Sequence, residues 1–416
     1  AVMIILTQYM PEVNRLFGHC IYVISTVFAG TILLLTKKRT PTDAGEKTMS
    51  IIVNRRDLDF VMYEALDLNT ILESEHYADY DRESLDAMLD LCQSLAEDQF
   101  LPFAAKLDAN EPKFVDGKVE TIPEVKEAIN AYREAGLCTS AYDADIGGMQ
   151  LPWMMDQALN GMFVCANNPV HTYLFLTQGV ANMLNACGFD ELKAKYLPKL
   201  VEGEWFGTMC LSETQAGSSL ADIRTKADVR ADGGYNISGT KMWISGGEQD
   251  ITDNIVHMVL AKIPGSPPGV KGISLFLVPK NRVNDDGSIG DSNNVALAGL
   301  NHKMGCRGTT NCLLNFGESG ESIGYLVGEP NQGLANMFHM MNEARISVGM
   351  ASVMAGMGGY LYSLDYTRNR PQGRPLVNRN PEDAQIMISE HADIKRMLMT
   401  QKAFVEGAQT LIYYSA

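Results

Sequence analysis

The sequence predicts a chain of two structural kinds, with helices toward both ends and a small antiparallel β-domain between them. Three observations predict it. Apolar residues recur at helical spacing as far as about Gly188, short β-rich runs bounded by turn clusters follow from about Trp205 to Phe316, and helical spacing returns past Gly333. At 416 residues the chain is long enough for two or three domains and a sizeable core.

The N-terminal segment is unlike the rest. Leu16 to Leu35 carries no carboxylate, lysine or arginine, and Lys37 to Arg39 follows, which is the length and flank of a bilayer span. Against an anchor, Lys37 to Lys47 is polar and unpatterned, and a start-like MSIIVNRRDLDF opens at Met49. Residues 1–48 are therefore expected to be extraneous to the folded protein, with a membrane anchor through 16–35 as the alternative.

A helical region is expected over 49–205. Leu85, Met88, Leu89, Cys92 and Leu95 repeat at i, i+3, i+4, i+7, Thr121-Ile-Pro-Glu124 has the capping-box spacing, and a further helix around Val180 to Cys187 ends near Gly188. Within 206–325 the runs NIVHMVLA, GISLFLVP and NCLLNF are separated by turn clusters such as ADGG at 231–234 and NDDGSIG at 284–290. From 326 onward Leu334, Met337, Phe338, Met341 and Val348 share a face, and Ile394, Met397, Leu398, Phe404, Val405, Leu411 and Ile412 form a second stripe. That stripe reaches Tyr414-Ser415-Ala416 with no Gly, Asn or Pro to end it, and reads as a helix cut inside a bundle.

Composition narrows the chemistry. A net charge of −16 argues against a nucleic-acid partner held by phosphate neutralisation. Eight scattered cysteines without a C-x-x-C pair suit reduced thiols in a cytoplasmic setting, and the seven histidines show no metal spacing, so no metal site is expected.

The informative stretches are local. MCLSETQAGSS carries a Gly-Ser-Ser turn after a strand, where a flat or anionic ligand can approach backbone donors; such turns are common on their own. KMWISGGEQD sets Trp243 beside Ile244 and Ser245, suited to an aromatic cofactor, although taken alone a tryptophan in a small β-domain reads more readily as a core residue. Arg345 falls at helical spacing from Phe338, Met341 and Val348, so it is expected on the apolar face against an anionic partner, or snorkelling at its edge. YTRNRPQGRPL gathers Arg368, Arg370 and Arg374 around a Pro and a Gly, as a pyrophosphate clamp or an ordinary basic helix end.

Taken in order, MCLSETQAGSS, GYNISGTKMWISGGE, HKMGCRGTTNC, MMNEARISVG and NRPQGR resemble the acyl-CoA dehydrogenase family over roughly Met49 to Ala416. YLVGEPNQGLANMFHMMNEARISVG and the Met49 start are similar to its long bacterial branch, which includes 3-methylmercaptopropionyl-CoA dehydrogenases. The resemblance implies a helical N-terminal domain, a middle antiparallel β-barrel and a C-terminal helical bundle, here incomplete, with FAD between barrel and bundle. It implies that Leu211 and Ser212 touch the flavin ring, that Gly217 and Ser218 meet flavin or acyl-CoA, that Trp243, Ile244 and Ser245 make further flavin contacts, and that Arg370 and Gln372 reach the FAD of a neighbouring subunit in a homo-oligomer, dimer or tetramer.

The implied reaction is α,β-dehydrogenation of an acyl-CoA thioester, with an electron-transferring flavoprotein as acceptor. The alternatives are a non-catalytic flavin- or acyl-CoA-binding protein, an acyl-CoA oxidase, and a membrane-anchored redox protein resting on 16–35. Two departures stand out. Ser219 occupies the place of the family's usual Asp, and no catalytic base is found: the branch's Tyr-Glu-Gly-Thr segment is absent, Ala344 stands at the alternative base position, Glu343 lies about 100° around the helix, and Glu406 is ahead of the expected site. The base is expected beyond Ala416, the 416-residue chain is expected to be inactive alone, and Arg345 is left with at most a supporting role.

Overall fold

The computed structural model describes residues 49–377 and 380–416, so the expectations for 1–48 lie outside the described residues. Contacts group the chain into two compact units. One contains the described residues up to Leu101 with Pro152–Ala166 and Val348–Ala416, and the other contains Pro102–Leu151 and Asn167–Ser347.

The first unit is helical. Short helices α1 (Arg55–Asp59) and α2 (Leu68–Leu72) precede α3 (Arg82–Leu95), whose Leu85, Leu89 and Cys92 are buried at the predicted spacing. Its start is fixed by Asp81, which accepts from the Ser84 N–H while the Ser84 hydroxyl closes the capping box. In the second unit, α4 (Ala104–Ala109) and the hairpin of β1 (Lys113–Val115) and β2 (Lys118–Glu120) lead to α5 (Pro123–Glu134). Here the predicted capping box at Thr121 is not formed. Asp250 takes both the N–H and the hydroxyl of Thr121, and Pro123 in the first turn makes Ile122 the cap, without a side-chain bond.

Helix α6 (Trp153–Cys187) ends at the predicted place but begins far earlier, and Asn167 inside it has non-helical angles. Pro169, two residues on, accounts for a break here, since it lacks the N–H that would continue the ladder. Then α7 (Asp190–Val201) leads into the β-domain.

That domain contains β3 (Phe206–Cys210), β4 (Lys226–Val229), β5 (Tyr235–Ser245), β6 (Ile255–Lys262), β7 (Ile273–Pro279), β8 (Asn281–Val283), β9 (Ile289–Ser292), β10 (Val295–Leu300), β11 (Asn311–Phe316) and β12 (Ile323–Leu326). Pairings β4–β5, β5–β12, β12–β7, β7–β6 and β6–β4 close a ring, while β11 and β10 extend from β5 and β3 from β6. The sheet is antiparallel as expected, with two exceptions: β3 runs parallel to β6 from Phe206↔Ile255 to Cys210↔Val259, and β4 meets β6 in a single parallel bridge.

Residues of β6 and β7 alternate between two cores. Val259, Ala261, Phe276 and Val278 join Ile237, Ile244, Cys312 and Phe316 inside the ring. Val256, Met258, Leu260, Leu275 and Leu277 face Val180, Leu184, Leu197 and Leu200 of the helices. Both faces are covered, which is why these strands read as unbroken apolar runs.

Helix α8 (Gly333–Asn369) crosses from the second unit to the first, and α9 (Ala392–Ser415) belongs to the first. The apolar stripes are only half buried. Met337 and Met340 are covered, whereas Phe338 and Val348 are exposed. On α9, Leu398, Val405 and Ile412 pack with Met350, Met354, Met357 and Leu361, but their chain neighbours Met397, Phe404 and Leu411 are exposed. Neighbours in sequence lie about 100° apart on a helix, so a stripe two residues wide can bury one row and leave the other open.

Candidate functional site

The centre of the site is a bulge in β5. Its register with β11 shifts between Cys312↔Ile244 and Leu314↔Lys241, so Met242 and Trp243 together oppose the single residue Leu313. Extra residues of this kind re-aim side chains and cluster beside active sites. Trp243 consequently takes φ 67°, a left-handed conformation rare for an aromatic residue, and is 58% exposed. The core-residue reading of Trp243 is thereby overturned.

Its neighbours differ in what they offer. Ile244 is 2% exposed with its side chain in the barrel core, which leaves its backbone as the part open to a ligand. Ser245 is half-buried, with its hydroxyl 3.5 Å from Asn311 Nδ2.

The loop after β3 is folded against this bulge. Leu211 and Ser212 are half-buried, and the Ser212 carbonyl accepts from the Met242 N–H at 2.9 Å. Glu213 and Ala216 exchange backbone bonds, which turns the chain outward to Gly217, Ser218 and Ser219, all exposed. A methyl group added at Gly217 would meet no atom within 4 Å, and its φ is not left-handed. Neither this chain's packing nor its backbone therefore requires glycine there; the open space suits close approach by a ligand. Ser219, in place of the family's Asp, donates to Asp222 Oδ2 at 2.5 Å and so braces the turn.

Beneath the loop lies a buried ion pair that sequence reasoning missed. Lys241 Nζ, with its side chain fully buried, donates to Glu213 Oε1 at 3.0 Å and to the Leu211 carbonyl at 3.0 Å. Glu213 also accepts from the N–H groups of Arg224 and Thr225, the Thr225 hydroxyl and Gln215 Nε2. Burial alone would raise this carboxyl, but the Lys241 charge and these donors outweigh it and hold it down to about 2. The only sequence signal was one lysine inside a β-run, which is weak by itself.

The remaining predicted residues stand apart from this cluster. Arg345 is exposed rather than on a buried face; its guanidinium lies 5.4 Å from the Phe338 ring centre and bonds Asn342 Oδ1. The expectation failed because Phe338 and Val348, which defined that face, are themselves exposed. Glu343 accepts from Asn182 Nδ2 at 2.9 Å. Glu406 shares Lys402 with Asp57, and burial together with Asp57 raises its carboxyl above the ordinary range.

Arg370 and Gln372 lie in the first unit on an exposed loop whose ends pair through Gln372 N to Ile386 O and Ile388 N to Arg370 O. Arg374 is drawn off to the Asp383 carbonyl and Arg368 to the Met49 sulfur, so of the three arginines Arg370 alone has no such bond among the described residues. Among the described residues no group of three or more His, Cys, Asp or Glu could hold a metal ion, and no helix is long and apolar enough to cross a membrane.

Comparison with known proteins follows this layout. Residues 82–204 match the acyl-CoA dehydrogenase N-terminal domain and residues 208–318 the acyl-CoA dehydrogenase middle domain. The chain is 36% identical over 370 residues to a butyryl-CoA dehydrogenase of Syntrophomonas wolfei, and 35% identical over 356 residues to the 3-methylmercaptopropionyl-CoA dehydrogenase of Ruegeria pomeroyi. In both cases 86% of this chain is covered, and the chain spans 60% of the relative's length. In fold it is similar to an acyl-CoA dehydrogenase of Bacillus anthracis complexed with FAD, with TM-score 0.64 at 21% identity over 80% of this chain and 50% of that one. Two consecutive domains matched in order, with relatives above one-third identity across most of the sequence, show that the chain belongs to the acyl-CoA dehydrogenase family.

Proposed function

We propose that this chain is the flavin-holding part of an FAD-dependent acyl-CoA dehydrogenase acting on fatty-acyl or methylthiopropanoyl-type thioesters. The observation that carries the reading is Trp243, held out of the barrel by a bulge beside a turn whose Gly217 leaves open space. When bound, FAD supplies the hydride acceptor for oxidation of the acyl chain. The residues present fit such a group: the indole of Trp243 offers a broad apolar face that covers a flat ring and excludes water, and the Ser212 N–H and hydroxyl offer donors to its polar edge. Gly217 and Ser218 keep the backbone accessible on the turn.

Arg370 and Gln372 are assigned to the FAD of a second copy of the chain, which makes the working form a homo-oligomer. The electron acceptor is an electron-transferring flavoprotein, and the setting is cytoplasmic. Neither candidate carboxylate is assigned as the base: Glu343 accepts from Asn182 and lies about 100° around the helix from position 344, and Glu406 is paired with Lys402.

Reconstitution tests the proposal. Purified chain mixed with FAD and desalted should keep a yellow, stoichiometric flavin whose fluorescence is quenched. A protein that stays colourless would overturn it.

A further inference from the structure

Lys241 and Met242, consecutive on β5, hold two consecutive carbonyls of the loop after β3, those of Leu211 and Ser212. In a trans peptide the N–H points opposite to the C=O of the same plane, and the described residues contain no cis bond. Anchoring the Leu211 carbonyl on Lys241 therefore turns the Ser212 N–H away from Lys241. Among the described residues, neither that N–H nor the Ser212 hydroxyl forms a bond to protein.

The anchor itself is rigid. Lys241 and Glu213 have side-chain exposures of 0% and 4%, and five donors fill the Glu213 carboxylate, reaching forward to Arg224 and Thr225 at the far end of the loop. The same strand carries Trp243 two residues on. One buried pair thus ties both halves of the site, the loop donor and the exposed indole, to one stretch of β5.

We propose that Lys241, held in place by Glu213, is a positioning residue that aims the Ser212 N–H and hydroxyl at the polar edge of the flavin. The proposal rests on the flavin reading above. A buried pair of this kind is not needed for stability, since hydrophobic replacement of both partners is often neutral, whereas loss of one partner strands a buried charge.

The test compares wild type with the double variant Lys241→Met/Glu213→Gln, which removes both charges and keeps both stems. Apo thermal melts, FAD titrations and the flavin absorption bands are measured. The double variant is expected to bind FAD about tenfold more weakly, the effect of losing one or two directed bonds, with its bands shifted toward those of free FAD. Wild-type affinity and bands in a folded double variant would reduce the pair to scaffolding and overturn the proposal, leaving the flavin site standing. Failure of the wild type to bind FAD would overturn both.

A second measurement needs no variant. In the wild-type protein, hydrogen exchange at the Ser212 amide should slow by at least about tenfold when FAD is added. An unchanged rate would overturn the assignment even if the double variant does not fold.

Discussion

Replacing Trp243 separates its two roles. A tryptophan side chain offers about 250 Å², and with 58% of the residue exposed, on the order of 140 Å² is open to a ligand. At ~25 cal/mol per Å² that surface is worth about 3.5 kcal/mol of FAD affinity, on the order of three hundredfold in Kd. Trp243→Ala and Trp243→Gly both remove it, so both should weaken FAD by that amount. They differ in the backbone, because at φ 67° alanine retains left-handed strain of about 1 kcal/mol or more that glycine does not feel. The glycine variant should therefore be the more stable of the two in urea unfolding, reversing the usual order for a strand. FAD titrations by fluorescence quenching, run beside urea melts of all three proteins, measure both effects. Unchanged FAD affinity in both variants would return Trp243 to a structural role, and an alanine variant as stable as the glycine one would refute the left-handed bulge.

Arg370→Lys keeps the charge but loses the planar fork, and should weaken FAD by roughly 1 to 3 kcal/mol, shrinking the rise in melting temperature across an FAD titration; identical curves would make Arg370 an ordinary basic helix end. The 416-residue chain loaded with FAD should show no bleaching on addition of acyl-CoA, since Ala344 stands at the alternative base position and Glu343 lies about 100° around the helix from it; enzyme-like bleaching that Glu343→Gln abolishes would sink the expectation and make Glu343 the base. His257 is fully buried in the ring with Nδ1 2.7 Å from the Thr208 hydroxyl, and burial lowers its pKa to about 3. Its neutral form is favoured by folding, so its contribution is complete above the ordinary histidine value near 6.5 and is lost as pH falls toward 3, at up to about 1.4 kcal/mol per pH unit; urea unfolding of wild type and His257→Gln between pH 7 and pH 4 should show a shallower acid loss in the variant, and parallel curves would refute it.

The sequence by itself determined the kinds of element and their order. The spacing of Leu85, Leu89 and Cys92, the apolar runs of β6 and β7, and the turn clusters between strands are local patterns, and period and turn chemistry act over a few residues. The order of five motifs likewise carried the family. What only the tertiary structure decided was which way side chains face. Trp243 is exposed because one extra residue in β5 shifts its register against β11, about seventy residues later in the chain, and a one-residue shift exchanges the faces of a strand. The partnership of Lys241 with Glu213 and the exposure of Arg345 are equally invisible in sequence. Each depends on how a loop closes or on which half of a wide apolar stripe meets a neighbour, and neither is set by the residues adjacent to it.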